Sequence, residues 1–239
     1  WDIMKRSFWR VVIFTSTLFL FILSSCAMLE YYTTAGMLEA YVLKGLFLSP
    51  VEGVTVVVKS NWGRIRGEGK TDSSGIAKIG TNLIKDGEQL NVIVKKENYG
   101  TVVFQDIKFK ANDSIRIFPY LEESVATPTY EIPIDIDVRL YTDSTKSKSV
   151  DPSSVATDTI YVVVNAKPKE FDIKKIYVKV NGTPRVIHNL PADLSNEYRT
   201  NLEGTISLKD LQGEIPLIVV AQDKNNDKVQ KVIYLNIVK

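Results

Sequence analysis

The hydrophobic pattern of this chain changes character near residue 26. Upstream, residues 11–23 (VVIFTSTLFLFIL) form one predominantly apolar run behind the basic residues Lys5, Arg6 and Arg10. The run is short of the roughly 20 residues that a spanning helix needs, and it has the length of the apolar core of a secretory signal segment, which also carries a basic flank. Trp1, Asp2 and Ile3 precede Met4, which reads as the natural start.

Downstream the period becomes two. Val54, Val56 and Val58 alternate with their neighbours, as do Leu90, Val92 and Val94, then Ile115 and Ile117. Alternation in Val- and Ile-rich runs predicts half-buried strands, and Ser49-Pro50, Asp72-Ser73-Ser74-Gly75, Asp86-Gly87 and Asn98-Tyr99-Gly100 supply turns between them. Residues 122–128 (EESVATP) break the alternation and have linker composition. Beyond them Ile132, Ile134, Ile136, Val138 and Leu140 form a strict apolar face opposite Glu131, Asp135, Asp137 and Arg139. Further strands are predicted at 160–164, 176–180, 197–202, 217–221 and 229–238, with Pro133 and Pro216 at strand starts, edges or bulges because proline has no N–H for a ladder. The polar stretch 142–149 is predicted to be a loop crossing between sheets. The fold class expected is all-β, with two tandem β-sandwich domains behind an N-terminal helical signal segment.

Three resemblances sharpen this outline. Leu23-Ser24-Ser25-Cys26 resembles the lipobox of bacterial lipoproteins, in which an apolar residue and two small ones precede the cysteine. That resemblance implies diacylglycerol on the Cys26 thiol, cleavage before Cys26, and attachment of the protein to a membrane through its lipid. Ala27 would permit export to the outer membrane under the sorting rule of enterobacterial lipoproteins. Pro50-Val51-Glu52-Gly53-Val54-Thr55-Val56-Val57-Val58, Thr71-Asp72-Ser73-Ser74-Gly75, and Leu90-Asn91-Val92-Ile93-Val94 with Tyr99-Gly100 resemble the carboxypeptidase regulatory-like domain, a small transthyretin-like sandwich. It implies a non-catalytic accessory or binding module. Ile176-Tyr177-Val178-Lys179-Val180-Asn181-Gly182, Asn196-Glu197-Tyr198 and the run from Ile215 through Ala221 to Asp227 resemble bacterial immunoglobulin-like domains of cell-surface proteins. The organisation expected is a signal peptide at 1–25, a juxtamembrane tether at 26–36, a carboxypeptidase regulatory-like sandwich at 37–121, a linker at 122–128 and an immunoglobulin-like sandwich at 129–239.

Composition removes several function classes. With 239 residues, 44% hydrophobic and 24% charged, the chain has the make-up of a globular protein and not of a disordered one. One Cys excludes an internal disulfide, and one His excludes histidine-rich zinc cages. The formal charge is +2, but loss of Lys5, Arg6, Arg10 and Asp2 with the signal leaves equal numbers of acidic and basic side chains. A balanced ectodomain has no global electrostatic reason to bind nucleic acid.

Motifs for chemistry are missing: there is no Gly-rich phosphate loop, no H-E-x-x-H, no G-x-S-x-G and no cysteine pair. His188, at the end of a predicted strand, reads as a structural or solvent-facing residue. Asp223, Asn225 and Asp227 have D-x-N-x-D spacing, but Lys228 and Tyr234 stand where an EF-hand wants Gly and Glu, so a solvated hairpin turn is expected there. Glu131, Asp135 and Asp137 read as an exposed strand face. The candidate ligand-binding residues are Trp62, Arg64 and Arg66: if residues 61–67 are extended, an aromatic platform lies beside two guanidinium groups and suits a sugar ring, an acidic glycan or a protein hot spot. The alternative is that Trp62 closes one end of its own sandwich under the arginines. No catalytic residue, metal or cofactor is expected. The function expected is a lipid-anchored, non-catalytic envelope module on the periplasmic or cell-surface side, engaging an envelope protein or a polysaccharide. An accessory subunit of an envelope peptidase or glycan-degrading system, or a mechanical spacer, are the competing readings.

Overall fold

The computed structural model describes residues 34–45, 47–110, 112–128, 131–180, 185–187 and 192–238. The expected signal segment 1–25 with Leu23, Ser24 and Ser25, the lipidation candidate Cys26, Ala27, the expected tether up to residue 33, and His188 lie outside the described residues. Every regular element among the described residues is a strand. The first half contributes β1 (Thr34–Tyr41), β2 (Leu43–Lys44), β3 (Ser49–Pro50), β4 (Thr55–Ser60), β5 (Ile65–Lys70), β6 (Ile76–Ile84), β7 (Gln89–Lys95), β8 (Val102–Lys108), β9 (Ser114–Ile117) and β10 (Tyr120–Leu121). The second half contributes β11 (Ile134–Tyr141), β12 (Thr159–Pro168), β13 (Ile173–Val180), β14 (Val186–Ile187), β15 (Leu194–Glu197), β16 (Asn201–Ser207), β17 (Gly213–Asp223) and β18 (Lys228–Ile237). The protein is all-β.

The strands form three layers. The central layer is an eight-stranded sheet in the order β15-β13-β17-β18-β8-β7-β4-β5, with the four-stranded sheet β14-β9-β1-β6 over one face and the three-stranded sheet β11-β12-β16 over the other. A small sheet, β10-β2-β3, completes the first half. The two halves meet where β18 pairs in parallel with β8, from Lys228 opposite Val102 to Lys231 opposite Gln105. Each half is a sandwich that lends the other its central sheet.

The side chains follow from this pairing. On β17, Ile218 and Val220 enter the first core beside Val92, Val102 and Phe104, while Leu217, Val219 and Ala221 enter the second core beside Ile160, Val162 and Val164. The exchange runs both ways, since Ile93 and Val103 of the first half belong to the second core. Ile187 on β14 also crosses over, pairing with Ile117 of β9 and joining the first core. A strand covered on both faces needs apolar side chains at consecutive positions, which explains the unbroken Ile-Pro-Leu-Ile-Val-Val-Ala run of residues 215–221. The stretch expected to be a linker is tied down: Gly100 N–H donates to the Glu122 carbonyl at 2.9 Å, and Ser124 N–H donates to the Asn98 carbonyl at 3.0 Å.

Three local expectations are corrected. The strand expected at 197–202 is two strands in different sheets, because Tyr198 takes a left-handed φ of 57° and turns the chain between β15 and β16. Residues 142–149 do not cross between sheets: Thr142 N–H donates to the Lys148 carbonyl at 3.0 Å, so the loop closes on itself after β11, whose partner β12 lies in the same sheet. The turn at 223–227 buries Asp223, Asn225 and Asp227, with Asp223 only 1% exposed, and leaves Lys224 in water.

Candidate functional site

Strand direction gives the molecule two ends. β1 begins at Thr34 opposite Ile84, and β4 ends at Ser60 opposite Leu90 of β7. The tip of the β4–β5 hairpin therefore lies at the end where the chain enters at Thr34. The start of β8, the β17–β18 turn and residues 122–124 lie at the opposite end.

At the entry end, Asn61-Trp62-Gly63-Arg64 is a tight turn and not an extended segment. Ser60 N–H donates to the Arg64 carbonyl at 2.8 Å, Gly63 N–H donates to the Ser60 carbonyl at 2.9 Å, and Arg64 N–H donates to the Ser60 hydroxyl at 3.2 Å. Gly63 holds φ at 79°, a conformation that glycine adopts without strain. Trp62 sits on this tip 95% exposed, so it does not close its own sandwich. Arg64 is exposed beside it, and Ile65 is 54% exposed. Arg66 belongs to β5 and turns to Glu88, with its Nη2 3.2 Å from Oε1. The three candidates are thus brought to one hairpin without forming the continuous platform that an extended segment gives.

The same end carries a cleft of about 700 Å³ between the halves, lined among others by Asp106, Lys108, Asp151, Glu214 and Tyr234. Lys108 Nζ lies 2.5 Å from Glu214 Oε2 and 5.8 Å from the Tyr234 ring centre, and Tyr234 OH accepts a hydrogen bond from Lys108 N–H. Burial pushes the Glu214 carboxyl up, but the Lys108 hydrogen bond and the charges of Lys108, Lys110 and Arg185 outweigh it and hold Glu214 below its ordinary value. The Ser153 backbone N–H and hydroxyl likewise lower Asp151. Both carboxyls are held ionised near neutral pH, and Glu214 pairs with Lys108 across the seam.

At the opposite end, Asp223 anchors a clasp. Its Oδ1 accepts from the N–H groups of Asn225 at 2.9 Å and Asp227 at 3.0 Å. Asp227 Oδ1 accepts from Thr101 N–H, and Lys228 N–H donates to the Thr101 carbonyl at 2.8 Å, which fixes the start of the β8–β18 ladder. The Ser124 hydroxyl donates to Asn225 Oδ1 at 2.7 Å. A Cβ on Gly100 would stand 2.2 Å from the Asn226 carbonyl oxygen, so only glycine permits this approach. Burial, with the nearby Asp227 charge, pushes the Asp223 carboxyl up to about 7. Asp223 Oδ1, Asn225 Oδ1 and both Asp227 carboxylate oxygens accept from backbone and side-chain donors of the chain itself. Among the described residues no group of three or more His, Cys, Asp or Glu is placed to hold a metal ion.

Sequence reasoning missed Lys179. It lies on the face of β13 toward the first half, 1% exposed, and burial with the Lys228 charge nearby lowers its ammonium to about 8. Lys228 is itself buried and pairs with Glu122 at 3.4 Å. The only sequence signal for Lys179 was indirect: the adjacent strand, β17, is apolar on both faces.

No family model matches the chain, and no curated protein matches it. The two domain resemblances therefore rest on their motifs alone. Among solved structures the chain is similar to the minor pilin GBS52 of Streptococcus agalactiae, at 15% identity over 42% of this chain and 49% of that one, with a TM-score of 0.30. It is also similar to the major pilin subunit of Bacillus cereus, at 10% identity over 85% of this chain and 69% of that one, with a TM-score of 0.30. Fibronectin(III)-like modules of Clostridium thermocellum CbhA match at 10% identity over 82% and 90%, with a TM-score of 0.29. The chain spans about half the length of the first of these.

Proposed function

We propose that this chain is a lipid-anchored, non-catalytic module of a bacterial cell envelope, held by diacylglycerol on Cys26, that presents a stiff surface to an envelope protein or polysaccharide. The observation that carries the reading is the order of features before the first strand: Lys5, Arg6 and Arg10, the apolar run 11–23, then Leu23-Ser24-Ser25-Cys26, with β1 starting eight residues later at Thr34. The fused sandwiches support the structural part. A sheet continuous across both halves resists bending, because any hinge there would break the β8–β18 ladder and open both cores. Anchoring confines such a body near the membrane, so modest intrinsic affinity suffices for a neighbouring partner. An accessory role in an envelope peptidase or glycan-degrading system asks for a carboxyl with a raised pKa in an open cleft, whereas Glu214 and Asp151 are lowered in theirs.

The test is in-cell crosslinking of a C-terminally tagged protein, followed by detergent extraction and mass spectrometry, with Cys26→Ser as control. The expected outcome is lipid on Cys26 and a specific envelope partner that disappears in the control. An unmodified Cys26 in a chain that keeps residues 1–25 would overturn the anchor.

A further inference from the structure

We infer that the tip of the β4–β5 hairpin, Trp62 with Ile65 and Arg64, seats in the interfacial layer of the same bilayer that holds the lipid on Cys26, so that the protein grips its membrane at two points. The inference rests on the anchor proposed above. Three observations carry it. First, the tip points the right way, since Trp62 and the entry residue Thr34 lie at the same end of the first sandwich. Second, the reach is short: eight peptide steps from Cys26 to Thr34 extend to at most about 29 Å. Trp62 is displaced from the entry strand by β6 and the sheet corner, on the order of 10–15 Å at ordinary strand and sheet spacings. Whatever the course of residues 26–33, these two lengths together keep Trp62 within about 45 Å of Cys26, so the hairpin tip is able to reach the headgroups.

Third, the tip has interfacial chemistry. Tryptophan favours the headgroup level, where its ring is apolar and its N–H stays wet, and a neighbouring guanidinium is well placed to meet phosphate. Trp62 is 95% exposed and Ile65 54%, an arrangement that leaves apolar surface in water unless something receives it. Beside the tip, Arg66 is paired with Glu88, and Glu88 Oε2 in turn accepts from Lys85 N–H at 2.9 Å, which ties the start of β5 to the turn between β6 and β7. A protein partner is the weaker match: one indole and one isoleucine fall far short of the roughly 800 Å² that a stable protein interface buries on each side. A glycan is weaker too, since Arg66 is already engaged and the aromatic-guanidinium platform is not continuous.

The sequence provides its own probe. The chain has three tryptophans, Trp1, Trp9 and Trp62, so cleavage before Cys26 leaves Trp62 as the sole fluorescent indole. The full-length protein is expressed in a bacterium, extracted from membranes, weighed intact, and reconstituted into phosphatidylethanolamine–phosphatidylglycerol vesicles with and without dibrominated acyl chains. The expected result is a mass showing residues 1–25 removed and lipid added, blue-shifted emission, and about twofold quenching by the brominated lipid, as befits an indole at the headgroup boundary. Emission at the water-exposed maximum, unquenched, in protein of the correct lipidated mass overturns the inference and leaves the anchor standing. The same spectrum shifting on addition of peptidoglycan would replace the bilayer with a glycan. A mass that retains the segment before Cys26, Trp9 included, overturns the anchor, and the inference with it.

Discussion

β11 and β17 belong to the same half of the chain and obey opposite rules. Along β11, Ile134, Ile136 and Leu140 are buried while Asp135 and Asp137 are exposed, the signature of a strand with one face on a core and one in water. Along β17, every residue from Ile215 to Asp223 is buried. Both strands hydrogen-bond to neighbours in their sheets, so the ladder does not explain the difference. What differs is the layer: β11 is in an outer sheet, whereas β17 is in the sheet that both sandwiches share. Burial of a large aliphatic side chain stabilises by about 1.5–3 kcal/mol. β17 collects that contribution on both faces, which makes it the structural centre of a protein whose sequence suggests two independent halves.

The largest effect that can break this comparison comes from paired truncations. Leu217→Ala and Ile218→Ala point to opposite cores, and each is expected to cost about 2–5 kcal/mol in urea denaturation. A cost under about 0.5 kcal/mol for either would mean that one face of β17 is uncovered. On β11, Ile136→Ala is expected to show a core-sized loss and Asp135→Ala almost none.

A smaller effect tests how tightly the clasp of the β17–β18 turn is closed. Asp223 has a folded pKa of about 7, above the ordinary 3.8 of an aspartate. Between pH 4 and 7 the native state therefore binds more protons than the unfolded state at this position, and its contribution to stability falls as pH rises through that window and is flat above it. Glu39, held down by its hydrogen bond to Arg116, acts below that window with the opposite sign. Asp223→Asn keeps an oxygen for the Asn225 and Asp227 N–H groups and removes the charge, so it is expected to flatten the pH 4–7 slope and raise stability at pH 7. An unchanged slope in thermal melts across that range would place Asp223 in water.

The smallest expected effect lies on the outer face of β11. Arg139 and Asp137 form an ion pair at 3.1 Å with both side chains more than half exposed, so Arg139→Ala is expected to shift stability by less than about 0.5 kcal/mol. A larger loss would show that this face is covered by something other than water.

How much of this was legible depends on how local the cause is. The alternation at Val54, Val56 and Val58, at Leu90, Val92 and Val94, and along β11 is a property of neighbouring residues, and it identified the strands and one apolar face of each, but not that Val57 and Ile93 are buried on the opposite faces of β4 and β7. The turn at Asp72–Gly75 was equally legible, since the Asp72 carboxylate accepts from the Ser74 and Ile76 N–H groups within a few residues. The Trp62 turn was less so: Asn61-Trp62-Gly63 reads equally as a tip or as an extended edge until Gly63 is seen at positive φ. Asp223 was misread, because its D-x-N-x-D spacing is a good turn sequence whether the turn meets water or another strand.

What the sequence by itself determined is the all-β class, most of the strand positions and the charge and apolar pattern of the N-terminal segment, because each is written in residues close together along the chain. What only the tertiary structure decided is that the halves share one sheet, that Lys179 and Asp223 are buried, and that Trp62 stands at the end where the chain enters. The shared sheet follows from β8 pairing with β18, more than a hundred residues away, and the place of Trp62 from β1 pairing with β6 and β4 with β7. Periodicity tells which face of a strand is apolar, but only the pairing of distant segments determines what covers that face.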